Sequence, residues 1–543
     1  MPDEPARTFD LLIRGGSVFD GNGGEARMAD IGVHDDRIAE IGELSGANAG
    51  AVIDAAGMAV APGFVNVLSH SYITMLHDGR SLGELKQGVT TQVFGEGYSM
   101  GPIRQETQRW LQKWEPDLTY EVNWLGLREY LEAAEKNGVA QNVASYIGAT
   151  TLRMFVAEEA DRPLTSGEME TVRSLIRDEM SAGAIGIGSS LIYPPAFFAS
   201  TEELIDMCRA AAPSGGRYIS HMRSESEGLL DIGLDELTRI AREAGVPAEA
   251  YHLKAAGKDA WHLMEPAIAC IEDARARGLA ITADMYTYTA GATGLSNCIP
   301  PWYHDGGQAA LIQRLQDPLL RTQIRETIEG GASASWENLY LRGGTPENIL
   351  VLQVRNPELR WCQGKTLGQI AAQRGTHPIE TIFDLVTEDR SRITTAYFMM
   401  SEENVKLGLK QPWVSLGSDS PSTAAEGEFL KRSTHPRAYG NFARFLGKYV
   451  REEQVVPLGE AVRKMAALPA DNLGLKDRGR LEPGRFADIV VFDAETVSDR
   501  ATYDDPHQYA VGVRDVVVNG RLALRDGEFA GNYPGRALRA SSA

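Results

Sequence analysis

Short stretches of alternating hydrophobic and polar residues occur near both ends of the chain and predict β-strands. Residues 9–14 and 37–41 follow this pattern near the start, and turn-forming glycine and aspartate residues bound them. Residues 487–493 and 513–520 repeat the pattern near the end. Because isolated short strands are unstable, we predict that both ends of the chain combine in one small β domain.

The middle of the chain shows a different pattern, in which strand-like runs alternate with helical spacings. Residues 228–245 and 260–278 have the apolar spacing of amphipathic helices. They separate three apolar runs that carry His221, His252 and Asp284, at intervals of 252 − 221 = 31 and 284 − 252 = 32 residues. That interval is about the length of one strand–helix unit, which favours an α/β barrel.

Side chains that can bind a metal ion stand at the ends of five predicted strands. They are His70, Glu96, His221, His252 and Asp419. The chemistry of an α/β barrel lies at the carboxyl ends of its strands, so we expect these side chains on one rim. A mixture of histidine and carboxylate ligands suits Zn²⁺ or a similar divalent ion, whose catalytic sites leave one position open for water.

The composition and charge of the chain argue against several other classes of protein. Its 543 residues are 43% hydrophobic and 24% charged, which is typical of a globular protein. Lysine and arginine number 54 against 74 acidic residues, a net charge of −20, so we expect no binding to nucleic acid. The four cysteines are isolated, no apolar run of about 18 residues occurs, and no signal peptide is evident. These features predict a cytoplasmic protein that does not enter a membrane.

Several motifs resemble those of the amidohydrolase superfamily and, within it, the N-acyl-D-amino-acid deacylase (D-aminoacylase) family. The Pro-Gly-Phe run at 62–64 and the Gly-Arg-Phe-Ala-Asp-Ile run at 484–489 resemble motifs found throughout the superfamily. The His-Met-Arg-Ser-Glu run at 221–225 and the Tyr-Thr-Tyr-Thr-Ala-Gly run at 286–291 are narrower. The resemblance covers nearly the whole chain. It implies a distorted (β/α)₈ barrel of the metal-dependent hydrolase type with a small β-sandwich domain.

The resemblance also implies how the chain is divided. The β-sandwich is expected to contain residues 1–61 and 471–543, and the barrel residues 62–470. An insertion around 290–412 exceeds one strand–helix connection. Part of it, residues 305–336, is rich in glycine and polar residues and is predicted to cap the pocket.

The chain departs from the pattern of this family at three positions that would bind metal. Leu68 replaces the first histidine of the His-x-His motif, so that His70 remains alone. Gly97 stands where the family places a cysteine ligand, and Glu96 precedes it. No lysine lies near residues 189–190 to form the carboxylated lysine of binuclear relatives.

We therefore predict one dominant Zn²⁺ held by Glu96, His221 and His252. His70 is either a weak or second metal ligand or a residue that lines the pocket. A glutamate between glycines could alternatively be a solvated turn residue, in which case Glu96 would not bind metal.

Four further residues are predicted to act on the substrate. Asp419 would serve as the general base and acid for a metal-activated water. Lys254 lies two residues beyond His252, so in a strand it would share the same face and could bind a substrate carboxylate. The resemblance assigns a substrate contact to Tyr286, and Arg223 is a second candidate to bind an anion. The alternatives are surface ion pairs for Lys254 and Arg223 and a core position for Tyr286.

The predicted function is the metal-dependent hydrolysis of a linear amide, namely an N-acyl amino acid similar to the N-acyl-D-amino acids or a related carboxylated amide. A hydrolase of cyclic amides, similar to hydantoinases and dihydropyrimidinases, is less favoured because those enzymes normally need the His-x-His motif and the carboxylated lysine. An inactive binding or scaffold protein on the same fold is the third possibility. The expected partner is a small-molecule amide, and a homo-oligomer is expected.

Overall fold

The computed structural model describes residues 8–331 and 336–539. Its β-strands are β1 (Thr8–Val18), β2 (Arg27–His34), β3 (Arg37–Gly42), β4 (Asn48–Asp54), β5 (Ala59–Pro62), β6 (Phe64–Asn66), β7 (Val89–Phe94), β8 (Asn142–Ser145), β9 (Ile147–Gly148), β10 (Gly186–Ser190), β11 (Arg217–His221), β12 (Ala248–Ala250), β13 (Ile281–Met285), β14 (Ala290–Gly294), β15 (Ile349–Gln353), β16 (Thr394–Phe398), β17 (Val414–Leu416), β18 (Ile489–Phe492), β19 (Val513–Val518), β20 (Arg521–Arg525) and β21 (Glu528–Phe529).

The α-helices lie mainly between the strands of the central region. They are α1 (Thr74–His77), α2 (Leu82–Leu85), α3 (Gln105–Leu111), α4 (Leu127–Asn137), α5 (Ala149–Ala157), α6 (Ser166–Ser181), α7 (Thr201–Ala211), α8 (Asp235–Ala244), α9 (Met264–Ala276), α10 (Gly307–Leu315), α11 (Pro318–Glu329), α12 (Leu339–Arg342), α13 (Leu367–Arg374), α14 (Pro378–Asp389), α15 (Glu402–Lys410), α16 (Arg437–Arg444), α17 (Leu458–Met465) and α18 (Ala467–Leu473). Within the described residues, no helix is long and apolar enough to cross a membrane.

Strands from both ends of the chain form one sheet. Its order is β21-β20-β19-β18-β5-β1-β2-β3, with β4 parallel to β1. The two ends meet where β5 pairs antiparallel with β18, with Pro62 opposite Ile489. Apolar side chains that include Leu11, Ile31 and Val517 are buried within it. The alternating pattern of both termini therefore indicates the β domain correctly, whereas its exact limits stay a prediction.

The central strands form a distorted parallel barrel. One sheet has the order β9-β10-β11-β12-β13-β17 and a second has the order β6-β7-β8. Tyr146 separates β8 from β9, so these two short strands occupy one position in the barrel. On the other side, the Val67 amide lies 3.5 Å from the Leu416 carbonyl, and the Asp419 amide donates to the Leu68 carbonyl at 2.9 Å. The expected (β/α)₈ barrel is confirmed, and the ends of its strands converge on one rim.

The insertion between β13 and β17 contains its own small sheet. Strands β14, β16 and β15 pair antiparallel in that order. Helices α10 and α11 occupy most of the segment 305–336 that was predicted to cap the pocket. Residues 332–335 of that segment lie outside the described residues. The capping role itself stays a prediction.

The expectation that His252 and Lys254 lie together in one strand is wrong. Strand β12 ends at Ala250, and His252 has a φ of +35°. The backbone turns there because the amides of His252 and Leu253 donate to the side chain and the carbonyl of Asp284. The period-two argument that placed Lys254 on the same face as His252 therefore does not apply.

Candidate metal centre

Glu96 follows strand β7 by two residues and projects from a turn formed by Gly95 and Gly97. These glycines have φ values of +113° and +68°, which side chains rarely adopt. A Cβ atom at residue 95 would lie 2.7 Å from the Tyr146 carbonyl oxygen, and one at residue 97 would collide with Oγ of Ser190. The two glycines therefore permit the tight turn that aims the Glu96 carboxylate at the rim.

The first group of potential ligands consists of Glu96, His221 and His252. Oε1 of Glu96 lies 3.1 Å from Nδ1 of His221 and 3.3 Å from Nε2 of His252. The two imidazole rings are 4.5 Å apart at 80°, and all three side chains are nearly buried. Four-coordinate zinc with ligand bonds of about 2.0–2.1 Å separates its ligand atoms by about 3.3 Å. The two separations from Glu96 match that spacing, and the three ligand atoms of the group all lie within 4.8 Å of one another.

The second group consists of His70, Glu96 and Asp419, and it shares Glu96 with the first. Nε2 of His70 lies 3.2 Å from Oε2 of Glu96 and 3.0 Å from Oδ1 of Asp419. The His70 side chain is 28% exposed. Glu96 thus directs one oxygen toward each group, and the arrangement could hold two ions with a bridging carboxylate.

Asp419 lies three residues beyond β17 with a φ of +48°. Its Oδ2 is 2.9 Å from Nη1 of the buried Arg437, which also stacks over the ring of Tyr286 at 4.5 Å. Burial raises the pKa of Asp419, but the charge of Arg437 and the hydrogen bond with His70 outweigh this and hold it below its usual value. Asp419 is therefore ionised at neutral pH.

Without a metal ion, the nearby carboxylates also raise the pKa values of His70 and His252. Burial lowers the pKa of His70, but hydrogen bonds with Asp419 and Glu96 raise it to about 9. Burial and Lys254 lower the pKa of His252, but Glu225 and Glu96 raise it to about 10. Although burial opposes ionisation, the surrounding imidazoles hold the pKa of Glu96 well below its usual range. The raised pKa values favour the protonated forms of His70 and His252, whose positive charge a metal ion could replace.

The structure places Lys254 and Tyr286 beside the first group. Nζ of Lys254 lies 2.6 Å from Oε1 of Glu225 and 2.7 Å from Nδ1 of His252. The Tyr286 ring is 6.2 Å from the His252 ring, and burial raises the pKa of its hydroxyl well above the usual value. Both side chains are almost fully buried. Lys254 is thus not the surface residue of the alternative interpretation.

Arg223 is not brought into this cluster. Its guanidinium forms an ion pair with Glu236 at 3.0 Å and donates to the carbonyls of Phe197 and Ala199. Three partners already occupy it, so the geometry gives no support to a role in binding a substrate anion.

A comparison with protein families identifies the group to which this architecture belongs. The model of the amidohydrolase family matches residues 51–523, which include the barrel and strands β5, β18 and β19 of the terminal sheet. The chain belongs to the amidohydrolase family.

Curated relatives of this amidohydrolase extend over its full length. It is 34% identical to a D-aminoacylase of Alcaligenes xylosoxydans xylosoxydans over 100% of both chains. It is 32% identical to an N-acyl-D-glutamate deacylase of the same organism, over 98% of this chain and 96% of the relative. The resemblance to D-aminoacylases that the motifs indicate is therefore confirmed.

Solved structures agree with this relationship. An N-acyl-D-glutamate deacylase from Bordetella bronchiseptica, complexed with zinc and a phosphonate mimic of the tetrahedral intermediate, superimposes with a TM-score of 0.80 at 30% identity. The superposition extends over all of the Bordetella chain and over 98% of this amidohydrolase. A D-aminoacylase structure gives the same TM-score and coverage at 33% identity, and a D-aminoacylase is also described with a binuclear metal centre. Metal dependence is thus a property of these neighbours.

The structure gives physical reasons for the departures of this amidohydrolase from the motifs of its relatives. A Cβ atom at residue 97 would collide with Ser190, which disfavours a cysteine there, and Glu96 at the preceding position belongs to the potential ligands. Leu68 is buried in an apolar cluster with Val65 and Val67. Strand β10 ends at Ser190, where no lysine is available.

Sequence reasoning missed two charged residues of the site. Glu225 belongs to the narrow motif at 221–225, but nothing in the motif shows which atoms it contacts. Arg437 opens helix α16, 437 − 419 = 18 residues beyond Asp419, and its contact with that carboxylate depends on the tertiary fold. No local pattern identifies either role.

Proposed function

We propose that this amidohydrolase cleaves the linear amide bond of an N-acyl amino acid, most readily of an N-acyl-D-amino acid. One dominant Zn²⁺ would be held by Glu96, His221 and His252. His70 and Asp419 would hold a second, weaker ion with the other oxygen of Glu96. The substrate class follows from the named activities of full-length relatives that are 30–34% identical.

The observation that carries the proposal is the convergence of three donor atoms. Oε1 of Glu96 and the two imidazole nitrogens that face it are 3.1 and 3.3 Å apart, close to the spacing of about 3.3 Å in a tetrahedral zinc site. When bound, zinc would polarise the scissile carbonyl and lower the pKa of a water molecule. Glycines on both sides of Glu96 and the end of strand β11 at His221 hold the donors on separate rigid elements.

Asp419 would transfer the proton. It takes a proton from the attacking water and delivers one to the leaving nitrogen. Water adds to the carbonyl carbon, the carbon–nitrogen bond breaks, and a carboxylic acid and a free amino acid are released. Arg437 keeps Asp419 ionised, which is the state that can accept a proton.

Lys254 and Tyr286 would bind the carboxylate of the substrate. An anion brought into this buried region requires a cation, since an unpaired charge there is costly. Lysine has three donors, and Glu225 needs only one of them. Tyr286 lies between two cations, with Arg437 over its ring at 4.5 Å and Lys254 at 5.9 Å.

The two alternative functions gain no specific support. Hydantoinase structures share the fold, with a TM-score of 0.56 at 16% identity in one case, which shows architecture alone. A scaffold protein would not need two ligand groups with fitting distances at a barrel rim. Homo-oligomerisation and a cytoplasmic location stay predictions from the sequence.

A substrate screen tests the proposed function. The metal-free chain is loaded with Zn²⁺ and then given N-acetyl-D-amino acids, their L-enantiomers, their methyl esters and cyclic amides. Zinc-dependent release of a free D-amino acid is expected. No hydrolysis of any linear amide with Zn²⁺, Mn²⁺ or Co²⁺ would contradict the proposal, and hydrolysis of the cyclic amides alone would support the hydantoinase-like alternative.

A further inference from the structure

Glu225 lies on the opposite side of the two imidazoles from Glu96. Its Oε1 is 3.1 Å from Nδ1 of His252, and its Oε2 is 3.4 Å from Nε2 of His221. Glu96 faces the other nitrogen of each ring. Both imidazoles are thus held between two carboxylates, and each oxygen of Glu225 is close to one ring.

We propose that Glu225 is a shared positioning residue for the two histidine ligands, an inference that rests on the metal site of the proposed function. With a metal ion bound, it would accept the N–H groups of both rings, since Nδ1 of His252 lies 3.1 Å from its Oε1 and Nε2 of His221, which has no hydrogen-bond partner within the described residues, lies 3.4 Å from its Oε2. The proton is then absent from Nδ1 of His221 and from Nε2 of His252, the nitrogens that face Glu96. A ligand imidazole must be neutral, and the partner of its other nitrogen selects the tautomer and the ring orientation.

Lys254 contacts both Glu225 and His252. Its Nζ donates to Oε1 of Glu225 at 2.6 Å and lies 2.7 Å from Nδ1 of His252. A metal ion on Nε2 of His252 leaves the proton on Nδ1, and because two N–H donors repel at 2.7 Å, the ammonium group of Lys254 would have to turn away from Nδ1 and keep its bond to Glu225. Glu225 is then the common acceptor for the imidazole and the ammonium group, and Lys254 compensates its buried charge.

The backbone that carries Glu225 is held by the insertion. Oε1 of the buried Glu337 accepts hydrogen bonds from the amides of Glu225 and Ser226, at 2.7 and 3.1 Å, and from the hydroxyl of Ser224 at 2.6 Å. The carbonyl of Glu225 accepts from the Ala256 amide at 2.7 Å. Both sides of the peptide are fixed, so the carboxylate cannot easily follow a displaced ring.

The competing interpretation is that Glu225 is only one half of a buried ion pair with Lys254. Glu203 provides a matched control because it forms an ion pair with Arg153 at 2.7 Å. The side chains of that pair are 9% and 1% exposed, compared with 4% and 3% for Glu225 and Lys254. Glu203 contacts none of the three ligands in the described chain.

The test measures zinc affinity of the full-length metal-free chain by competition with a chelator, without substrate. Glu225→Gln removes the charge and presents an amide N–H₂ to one of the rings, so we expect zinc binding to weaken by about 10–100-fold. Glu203→Gln should lower the melting temperature and leave zinc affinity unchanged. The proposal would be overturned if a folded Glu225→Gln chain bound zinc within about threefold of wild type, because that change is much smaller than the expected weakening of about 10–100-fold.

A second variant covers the case in which Glu225→Gln does not fold. Glu225→Asp keeps the charge on a side chain that is one methylene shorter and cannot reach both rings. We expect intermediate zinc affinity and a changed Co²⁺ absorption spectrum, whereas wild-type values for both would overturn the proposal. A wild-type chain that binds zinc but hydrolyses no N-acyl amino acid would refute the proposed substrate and leave this comparison of affinities intact.

Discussion

The two groups of potential ligands share Glu96 but differ in burial and in the charges around them. His221 and His252 are nearly buried and have a second carboxylate, Glu225, behind them. His70 is 28% exposed, and Asp419 already has the guanidinium of Arg437 as a partner. A cation gains more at the first group, because its imidazoles are rigidly held and no permanent cation competes there for Glu96. In the proposed function, one rim would therefore separate tight metal binding from proton transfer.

The largest expected effect comes from removing a ligand of the first group. His221→Ala or His252→Ala leaves two of three protein ligands, so both metal content and activity should fall close to zero. Elemental analysis after dialysis and an amide hydrolysis assay measure these quantities. His262→Ala, at an exposed histidine, serves as the control and should change neither. Full metal occupancy in both ligand variants would show that the first group does not bind metal.

A change at Asp419 should separate binding from catalysis. Asp419→Asn keeps the size of the side chain but removes the base, so kcat should fall by about 10²–10⁴-fold while the tightly bound zinc remains. Steady-state kinetics with metal analysis on the same preparation measures both. If the tight zinc is lost instead, Asp419 belongs to the first group and the distinction between the two groups fails.

Lys254 tests how far the first group extends toward the substrate. Lys254→Met keeps the aliphatic stem and removes the charge, so kcat/KM for carboxylated substrates should drop roughly 10–100-fold, the range expected of a charged hydrogen bond. The methyl esters of the same substrates should be hydrolysed almost as before. Equal losses on both would mean that Lys254 acts through Glu225 on the metal site and does not contact the substrate.

The smallest effect is expected at His70. His70→Asn removes a ligand of the second group alone, so it should abolish the weaker metal site and change the affinity of the tight site by less than about tenfold. A titration with zinc that resolves both sites provides the measurement. Loss of the tight ion would place His70 among its main ligands.

The sequence predicts the fold and the metal-binding residue types better than it predicts their contacts. Strand periodicity and the spacing of His221, His252 and Asp284 indicate the barrel, because each repeats a local pattern. The same reasoning wrongly extends a strand as far as Lys254, since hydrogen bonds to Asp284 end strand β12 at Ala250, although Lys254 does lie beside His252. The contact of Arg437 with Asp419 depends on packing between distant elements, which no local pattern records.

Zinc binding by the wild-type chain tests the central claim most directly. The metal-free protein is titrated with Zn²⁺ in competition with chelators of graded affinity, and bound metal is counted per chain. The arrangement of the two groups predicts one tightly bound ion, followed by a second that binds more weakly. Two ions of equal affinity would contradict the distinction between the groups, and a chain that retains no zinc would contradict the metal site itself.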